Sequence, residues 1–298
     1  MSQITKATLA AMAGYGIYGF SFLFSKVGVD LASPFVLLSV RFCVAFLVLN
    51  LLLLTRHIHV SLKGKPIGSL LLMGLFQPVI YFICETYGIA MTSTSLSGIV
   101  IGLAPVVGLI FGVLFLKERC SVFQVCCTAL SVLGAALTTT GGLGNSSVVG
   151  FLFLVGALLS GASFAILGRR ISEDFTPMER TYIMSALGCI SFTGIALIQN
   201  IGHPEAWLVP LSSPGFWSSI AYLGIVSSIG AFQLVNYALG SLSAGRTLIF
   251  ANFTTVISVL SGIIIMGDSF TTLQLVGVCL IVLGVFGVST QKSPAQSE

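Results

Sequence analysis

Hydrophobic positions dominate the chain in long runs, and polar residues gather in the short segments between them. Ten such runs recur, near 8–27, 34–54, 67–89, 94–116, 121–140, 149–168, 178–199, 216–238, 246–267 and 272–290. Each is about 20 residues, the length an α-helix needs to cross roughly 30 Å of hydrocarbon. The first run follows Lys6 and is too long for the apolar region of a secretion signal, so it reads as a spanning helix. The predicted fold is an all-α integral membrane protein with ten transmembrane helices.

Composition agrees. The 298 residues are 56% hydrophobic and only 7% charged, with a mean hydropathy of +1.06, which leaves too little polar surface for a water-soluble domain. The net charge of +4 is no nucleic-acid footprint; its distribution carries the information. With ten helices, Lys6, Arg56, Lys63, Lys65, Lys117, Arg119, Arg169, Arg170, Arg180, Arg246 and Lys292 all fall on one side. Lys26 lies beside an opposite-side loop, and Arg41 is embedded. The positive-inside rule then places both termini in the cytoplasm of a multi-pass protein of the cytoplasmic membrane. The loops 141–147 and 203–215 fall outside and are too short for a folded domain. Cysteines 43, 84, 120, 126, 127, 189 and 279 lack metal-ligand spacing and read as packing residues, and His57 and His59 have no third ligand nearby. No metal or cofactor is expected.

The second half repeats the first. At a separation of 150 residues, Gly74 matches Gly224, Phe82 matches Phe232, Tyr87 matches Tyr237, Gly112 matches Gly262, Glu118 matches Asp268, Gln124 matches Gln274 and Gly134 matches Gly284. Gly19-Phe-Ser-Phe22 resembles Gly161-Ala-Ser-Phe164, and Ser33-Pro34 resembles Thr176-Pro177. Ser121 with Gln124, Thr176 with Glu179 and Thr271 with Gln274 have capping-box spacing, and Pro34 and Pro177 suit a first helical position. Five helices per copy is an odd number, so the second copy enters the membrane inverted. The expected domains are 7–142 and 148–290, an inverted-repeat architecture of the kind secondary transporters use, with binding at the repeat interface.

An ordered set of segments carries a resemblance. Pro34 to Arg41-Phe42, Tyr87-Gly-Ile-Ala90 with Thr92-Ser93, Pro105, Leu116-Lys-Glu-Arg119 and Gln124 to Gly134 resemble the EamA-type permeases of the drug/metabolite transporter superfamily. The resemblance covers nearly the whole chain and implies two inverted five-helix repeats, a central cavity and alternating access. The second half departs from the pattern, with Thr255 in place of the proline matching Pro105 and Gly267-Asp268 in place of the Lys-Glu pair.

Candidate chemistry lies where polar residues interrupt apolar runs. Glu85 and Arg41 are the embedded charges, and a charge near a bilayer centre costs roughly 2.5–3.5 kcal/mol on insertion scales. Gln77, Tyr81 and Glu85 recur every fourth residue, on one helix face, with Pro78 set to loosen that helix and free a carbonyl toward a cavity. Glu85 binds a cation or proton in one reading and forms an ion-pair strut with Arg41 in the other. Tyr15 and Tyr18, with Phe22 a turn on, form an aromatic stripe beside Gly14, Gly16 and Gly19, either packing or ligand cage. Gln233, Asn236 and Asn252 are the embedded amides, either cavity residues or interhelical hydrogen bonds of about 0.6–2 kcal/mol. Gly98-x-x-x-Gly102 and Gly108-x-x-x-Gly112 read as close-packing surfaces. The expected substrate-binding set is Tyr15, Tyr18, Gln77, Tyr81, Glu85, Gln233, Asn236 and Asn252, with Glu85 and Arg41 in coupling or gating.

These features point to a secondary transporter of a small molecule in a lipid bilayer. One embedded arginine is too few for a polyanion, so a zwitterion or cation is favoured, with proton coupling at Glu85. No phosphate-binding Gly-x-x-x-x-Gly-Lys segment marks an ATP-driven pump. An intramembrane enzyme is the alternative class, disfavoured because the histidines fall in loops and one carboxylate is embedded; a non-transporting structural protein would not require Glu85 or the amides. Oligomeric state is not legible.

The topology is tested by labelling Ser61→Cys and Ser146→Cys in a cysteine-free background. The two positions should react from opposite faces of the membrane, and reaction from one face overturns the orientation.

Overall fold

The computed structural model of the protein describes residues 2–92, 100–138, 147–266 and 271–290. Gly98, most of the 141–147 loop, Gly267-Asp268 and Lys292 lie outside the described residues. Every element among the described residues is helical. The first half runs through α1 (Gln3–Val29), α2 (Pro34–Leu54), α3 (Ile67–Gly74), a π-helical stretch (Leu75–Ile80), α4 (Tyr81–Met91), α5 (Ala104–Leu116) and α6 (Val122–Thr138). The second half runs through α7 (Val148–Arg170), α8 (Pro177–Gln199), the short α9 (Glu205–Leu211), α10 (Pro214–Ile220), a longer π-helical stretch (Ala221–Ala231), α11 (Phe232–Ser241), α12 (Ala244–Ile249), α13 (Ala251–Met266) and α14 (Thr272–Thr290).

Six helical stretches are long and apolar enough to cross a membrane: Gln3–Val29, Pro34–Leu54, Ile67–Gly88, Val148–Arg170, Pro177–Gln199 and Pro214–Ser241. Shorter apolar helices cover Val100–Leu116, Val122–Leu137 and Thr272–Val288. Leu54, Val122, Ile190 and Ile264 are each at least 70% exposed, a surface that suits lipid and would aggregate in water. The predicted starts hold: Pro34 and Pro177 open their helices. Thr176 and Glu179 form a reciprocal capping box, and Thr271 and Gln274 exchange the same two bonds. One of the expected continuous helices is kinked, and another carries π-helical turns without a break. Gln77 has φ −141° and ψ 118°, outside the helical region, with a cis bond to Pro78, and α10 passes into α11 through π-helical turns.

Helix pairing follows one rule across both halves. α1 packs on α11 and α13 of the second half, and α7 packs in the same way on α4 and α5 of the first. α2 pairs with α8, α5 with α12, and α6 with α14. The glycines explain how close these pairs come. A Cβ on Gly134 would lie 2.5 Å from the Gly277 carbonyl oxygen and 2.8 Å from the Ile281 nitrogen. One on Gly284 would lie 2.6 Å from the Cys127 carbonyl oxygen and 3.0 Å from the Ser131 nitrogen. Gly277 and Ile281 stand 150 residues after Cys127 and Ser131, so each glycine meets the counterpart of what the other meets. Likewise Gly74 faces Met184 and Leu187 of α8, while its match Gly224 faces the Arg41 carbonyl and Val44 of α2.

The glycine pairs of the first half divide. Gly102 and Gly108 are close-packing positions, against Ala135 and Leu248. Gly112 is not: it leaves room for the Glu118 carboxylate of its own chain turn, whose oxygen would be 2.7 Å from an added Cβ.

Because α6 and α14 meet backbone to backbone, neither can yield to a new methyl. Gly134→Ala should cost about 1–3 kcal/mol by overpacking. Gly194→Ala, with no atom within 4 Å of the new carbon, should be neutral or gain up to about 1 kcal/mol from helix propensity. Melting of the purified variants in detergent checks this; equal melting of the two would reject the tight seam.

Candidate functional site

Arg41 is carried by α2 into the middle of the bundle and is 5% exposed. Its Nε donates to Ser228 Oγ at 2.7 Å and its Nη2 to Ser227 Oγ at 3.1 Å. Both serines sit in the π-helical stretch before α11, and Ser21 of α1 donates to Ser227 at 2.9 Å. The guanidinium also lies over the rings of Phe42 (5.4 Å) and Phe82 (5.2 Å). Phe42 in turn touches Phe82 and Phe232, the matched pair of the two halves, at ring separations of 6.0 and 6.2 Å. One aromatic centre therefore joins α2, α4 and α11.

Glu85 lies on α4, and the Tyr81 hydroxyl donates to its Oε1 at 3.0 Å. The Arg41–Glu85 ion pair, the alternative reading of the two charges, is not formed: no ion pair among the described residues includes either group. The two charges are near enough to interact through space, as are Arg41 and Tyr18, yet each side chain is bonded to neutral hydroxyls. Tyr15 and Tyr18 of α1 complete the group, edge to face at 5.8 Å, with Tyr18 against Phe232 at 6.0 Å and both tyrosines within electrostatic reach of Tyr81. The side chain of Phe22 lies outside the described residues.

Three of the predicted residues part from this group, and a fourth shifts. Gln77 has left the helical register, so the one-face stripe reduces to Tyr81 and Glu85, and the Phe76 carbonyl beside the break is taken by Ser160 Oγ of α7 at 2.7 Å. Asn236 is fully buried against α8, donating to Thr181 Oγ1 at 3.1 Å, and Gln233 Oε1 lies 3.3 Å from the same hydroxyl. Asn252 donates to Ser131 of α6 at 3.1 Å. These amides bond helix to helix, which is where polar groups go when lipid offers no partner.

The sequence reading missed several residues. Ser227 and Ser228 carried no reading of their own in the apolar run, but they stand 150 residues after Gln77 and Pro78, so both halves carry π-helical turns at matched places. Arg180, read only as one of the bases on the cytoplasmic side, is 1% exposed and donates to the carbonyls of Gly168 (2.8 Å) and Asn236 (2.6 Å). Beside it Glu179 is paired with Lys65 at 2.6 Å. At the same end, Glu118 accepts from the Ala244 N–H at 3.2 Å. Burial pushes the Glu118 carboxyl above its usual pKa, opposed by that N–H and by the Arg169 charge.

A polar, aromatic-walled centre in an all-helical membrane bundle defines a transporter-like class, and the comparisons with known proteins agree. The EamA-like transporter family matches twice, over residues 5–140 and 148–290, and the chain belongs to this family, within the drug/metabolite transporter superfamily. It is 32% identical over 290 residues to the uncharacterized transporter YcxC of Bacillus subtilis, covering 96% of this chain and 93% of that one. It is 24% identical over 288 residues to the uncharacterized inner membrane transporter YedA of Escherichia coli K12, covering 95% and 90%. A solved crystal structure shares the fold at a TM-score of 0.78 and 17% identity, over 95% of this chain and 97% of that one. The protein is a multi-pass membrane transporter.

The Arg41 bonds set a stability test. Ser228→Ala removes a hydrogen bond to a buried charge and should cost about 1.5–3 kcal/mol. Ser218→Ala, at an exposed hydroxyl bonded to the Gly215 carbonyl, should stay within about 0.5 kcal/mol. Thermal melting in detergent compares them, and equal melting would mean that Arg41 does not depend on Ser228.

Proposed function

We propose that the protein is a secondary transporter of a small zwitterionic or cationic molecule, working by alternating access and coupled to protons at Glu85. The observation that carries the proposal is the separation of the two embedded charges. Arg41 and Glu85 share one aromatic-walled centre, yet each is held by hydroxyl groups instead of by the other. A guanidinium with serine partners keeps its charge for a carboxylate, and a carboxylate with one tyrosine donor keeps its charge for an amine or a proton. The rings of Tyr15, Tyr18, Tyr81, Phe82 and Phe232 add apolar walls and π faces that favour an ammonium group. Gln233, Asn236 and Asn252 act in assembly in this reading, not in substrate contact.

The matched helix pairings and glycine contacts support two related copies, 7–142 and 148–290, which as five-helix units are inverted in the membrane; with ten spans, the distribution of Lys and Arg favours both termini in the cytoplasm. The kink at Gln77 and the π-helical turns at Ala221–Ala231 are the places where these two helices can bend about a fixed centre. Glu85 takes a proton or the substrate cation in turn, so that the centre never crosses the membrane with an uncompensated carboxylate.

The test is a pair of measurements on Glu85→Gln. In detergent, amino acids should stabilise both wild type and variant against heat, simple amines should stabilise the variant less than the wild type, and sugar phosphates should stabilise neither. In proteoliposomes, the stabilising compound should move with an imposed pH gradient through wild type and not through Glu85→Gln. Proton-driven flux retained in the variant rejects the coupling role, and selective stabilisation by sugar phosphates rejects the substrate class.

A further inference from the structure

The seam between α2 and α8 carries a ladder of polar pairs that the transport reading leaves unused. Ser39 Oγ lies 2.9 Å from Thr193 Oγ1, and the Tyr182 hydroxyl donates to Asn50 Oδ1 at 3.0 Å. Between these rungs, Cys43 Sγ lies 3.3 Å from Cys189 Sγ and 3.2 Å from Thr193 Oγ1. Positions 39, 43 and 50 ascend α2 while 193, 189 and 182 descend α8, so the partners face each other in register on antiparallel helices. The sulfurs already touch, and an approach of about 1.3 Å brings them to bonding distance near 2.05 Å. No other two cysteine sulfurs make a hydrogen-bonding contact among the described residues, although the chain has seven cysteines. Both thiols are half-buried, not sealed, so a small neutral oxidant can reach them.

We propose that Cys43 and Cys189 form a reversible thiol–disulfide site that clamps α2 to α8 when the membrane meets peroxide. One sulfur attacks hydrogen peroxide: the O–O bond breaks, a first water leaves and that sulfur becomes a sulfenic acid. The second sulfur attacks it: the S–S bond forms, the S–O bond breaks and a second water leaves. The two thiol protons end in the waters, and the peroxide takes the two electrons. The Thr193 hydroxyl, 3.2 Å from the Cys43 sulfur, holds that side chain on the seam. α2 belongs to the first family match and α8 to the second, so the bond ties the two copies together. The site rests on sulfur geometry and stands or falls apart from the choice of substrate.

The experiment uses a chain keeping only Cys43 and Cys189, the other five cysteines changed to Ala, purified in detergent and treated with hydrogen peroxide. Its intact mass should fall by two hydrogens, its maleimide uptake should drop from both thiols to none, and dithiothreitol should restore both. Oxidation should raise the melting temperature by roughly 5 °C, because the link closes a long loop. The same chain with Cys189→Ser should show neither the mass loss nor the rise. Should the five replacements prevent folding, wild type and Cys43→Ser are oxidised and the linked peptides mapped by mass. Oxygen addition without a link, or a link between two chains, overturns the site; a link with unchanged or lowered melting temperature overturns the clamp.

Discussion

A guanidinium inside an apolar bundle must find all its partners within the protein, because hydrocarbon offers none. Arg41 meets that constraint with two serines and two aromatic faces, and much of the centre follows from it. The serines belong to the second copy, so α2 has to lie against the π-helical stretch that presents them. Gly224, in the same stretch, leaves space for the Arg41 carbonyl at 3.0 Å from where a Cβ would stand. Phe42, next in sequence, is then set between Phe82 and Phe232. With Arg41 satisfied by hydroxyls, Glu85 is left with Tyr81 alone as its direct partner among the described residues.

The same constraint organises the rest of the bundle. Thr181 gathers Gln233 and Asn236, Ser131 takes Asn252, and Arg180 takes two backbone carbonyls at a helix end. These bonds sit at helix crossings. The centre around Arg41 differs in drawing Ser227 and Ser228 from a π-helical stretch and Tyr81, Phe82 and Glu85 from the helix that follows the kink at Gln77. Seams such as α6 with α14 differ again, since there glycines bring backbone onto backbone.

Much of this was legible in the residues. The apolar runs, the capping boxes at Thr176 and Thr271, the helix starts at Pro34 and Pro177 and the glycine matches at 134 and 284 depend on local periodicity or on pairs at fixed spacing, which sequence states directly. Glu85, Arg41, Tyr81, Tyr15 and Tyr18 were legible for a related reason, since polar atoms are costly in hydrocarbon wherever they occur.

Tertiary structure alone decided which polar groups meet. Helical spacing put Gln77 on a face with Glu85, but the backbone at Gln77 leaves the helix and takes it out of that register. Opposite charges one helix apart suggested an Arg41–Glu85 pair, but a choice between a carboxylate and two hydroxyls depends on packing and orientation, which no spacing encodes. Gln233, Asn236 and Asn252 were ambiguous between site and scaffold because a residue type does not say what lies across the helix interface. The chain's sequence therefore determined that it is a helical membrane protein built from two related copies. The three-dimensional packing determined that its two central charges stand apart, since only the crossing of α2 with the second copy brings Ser227 and Ser228 to the arginine.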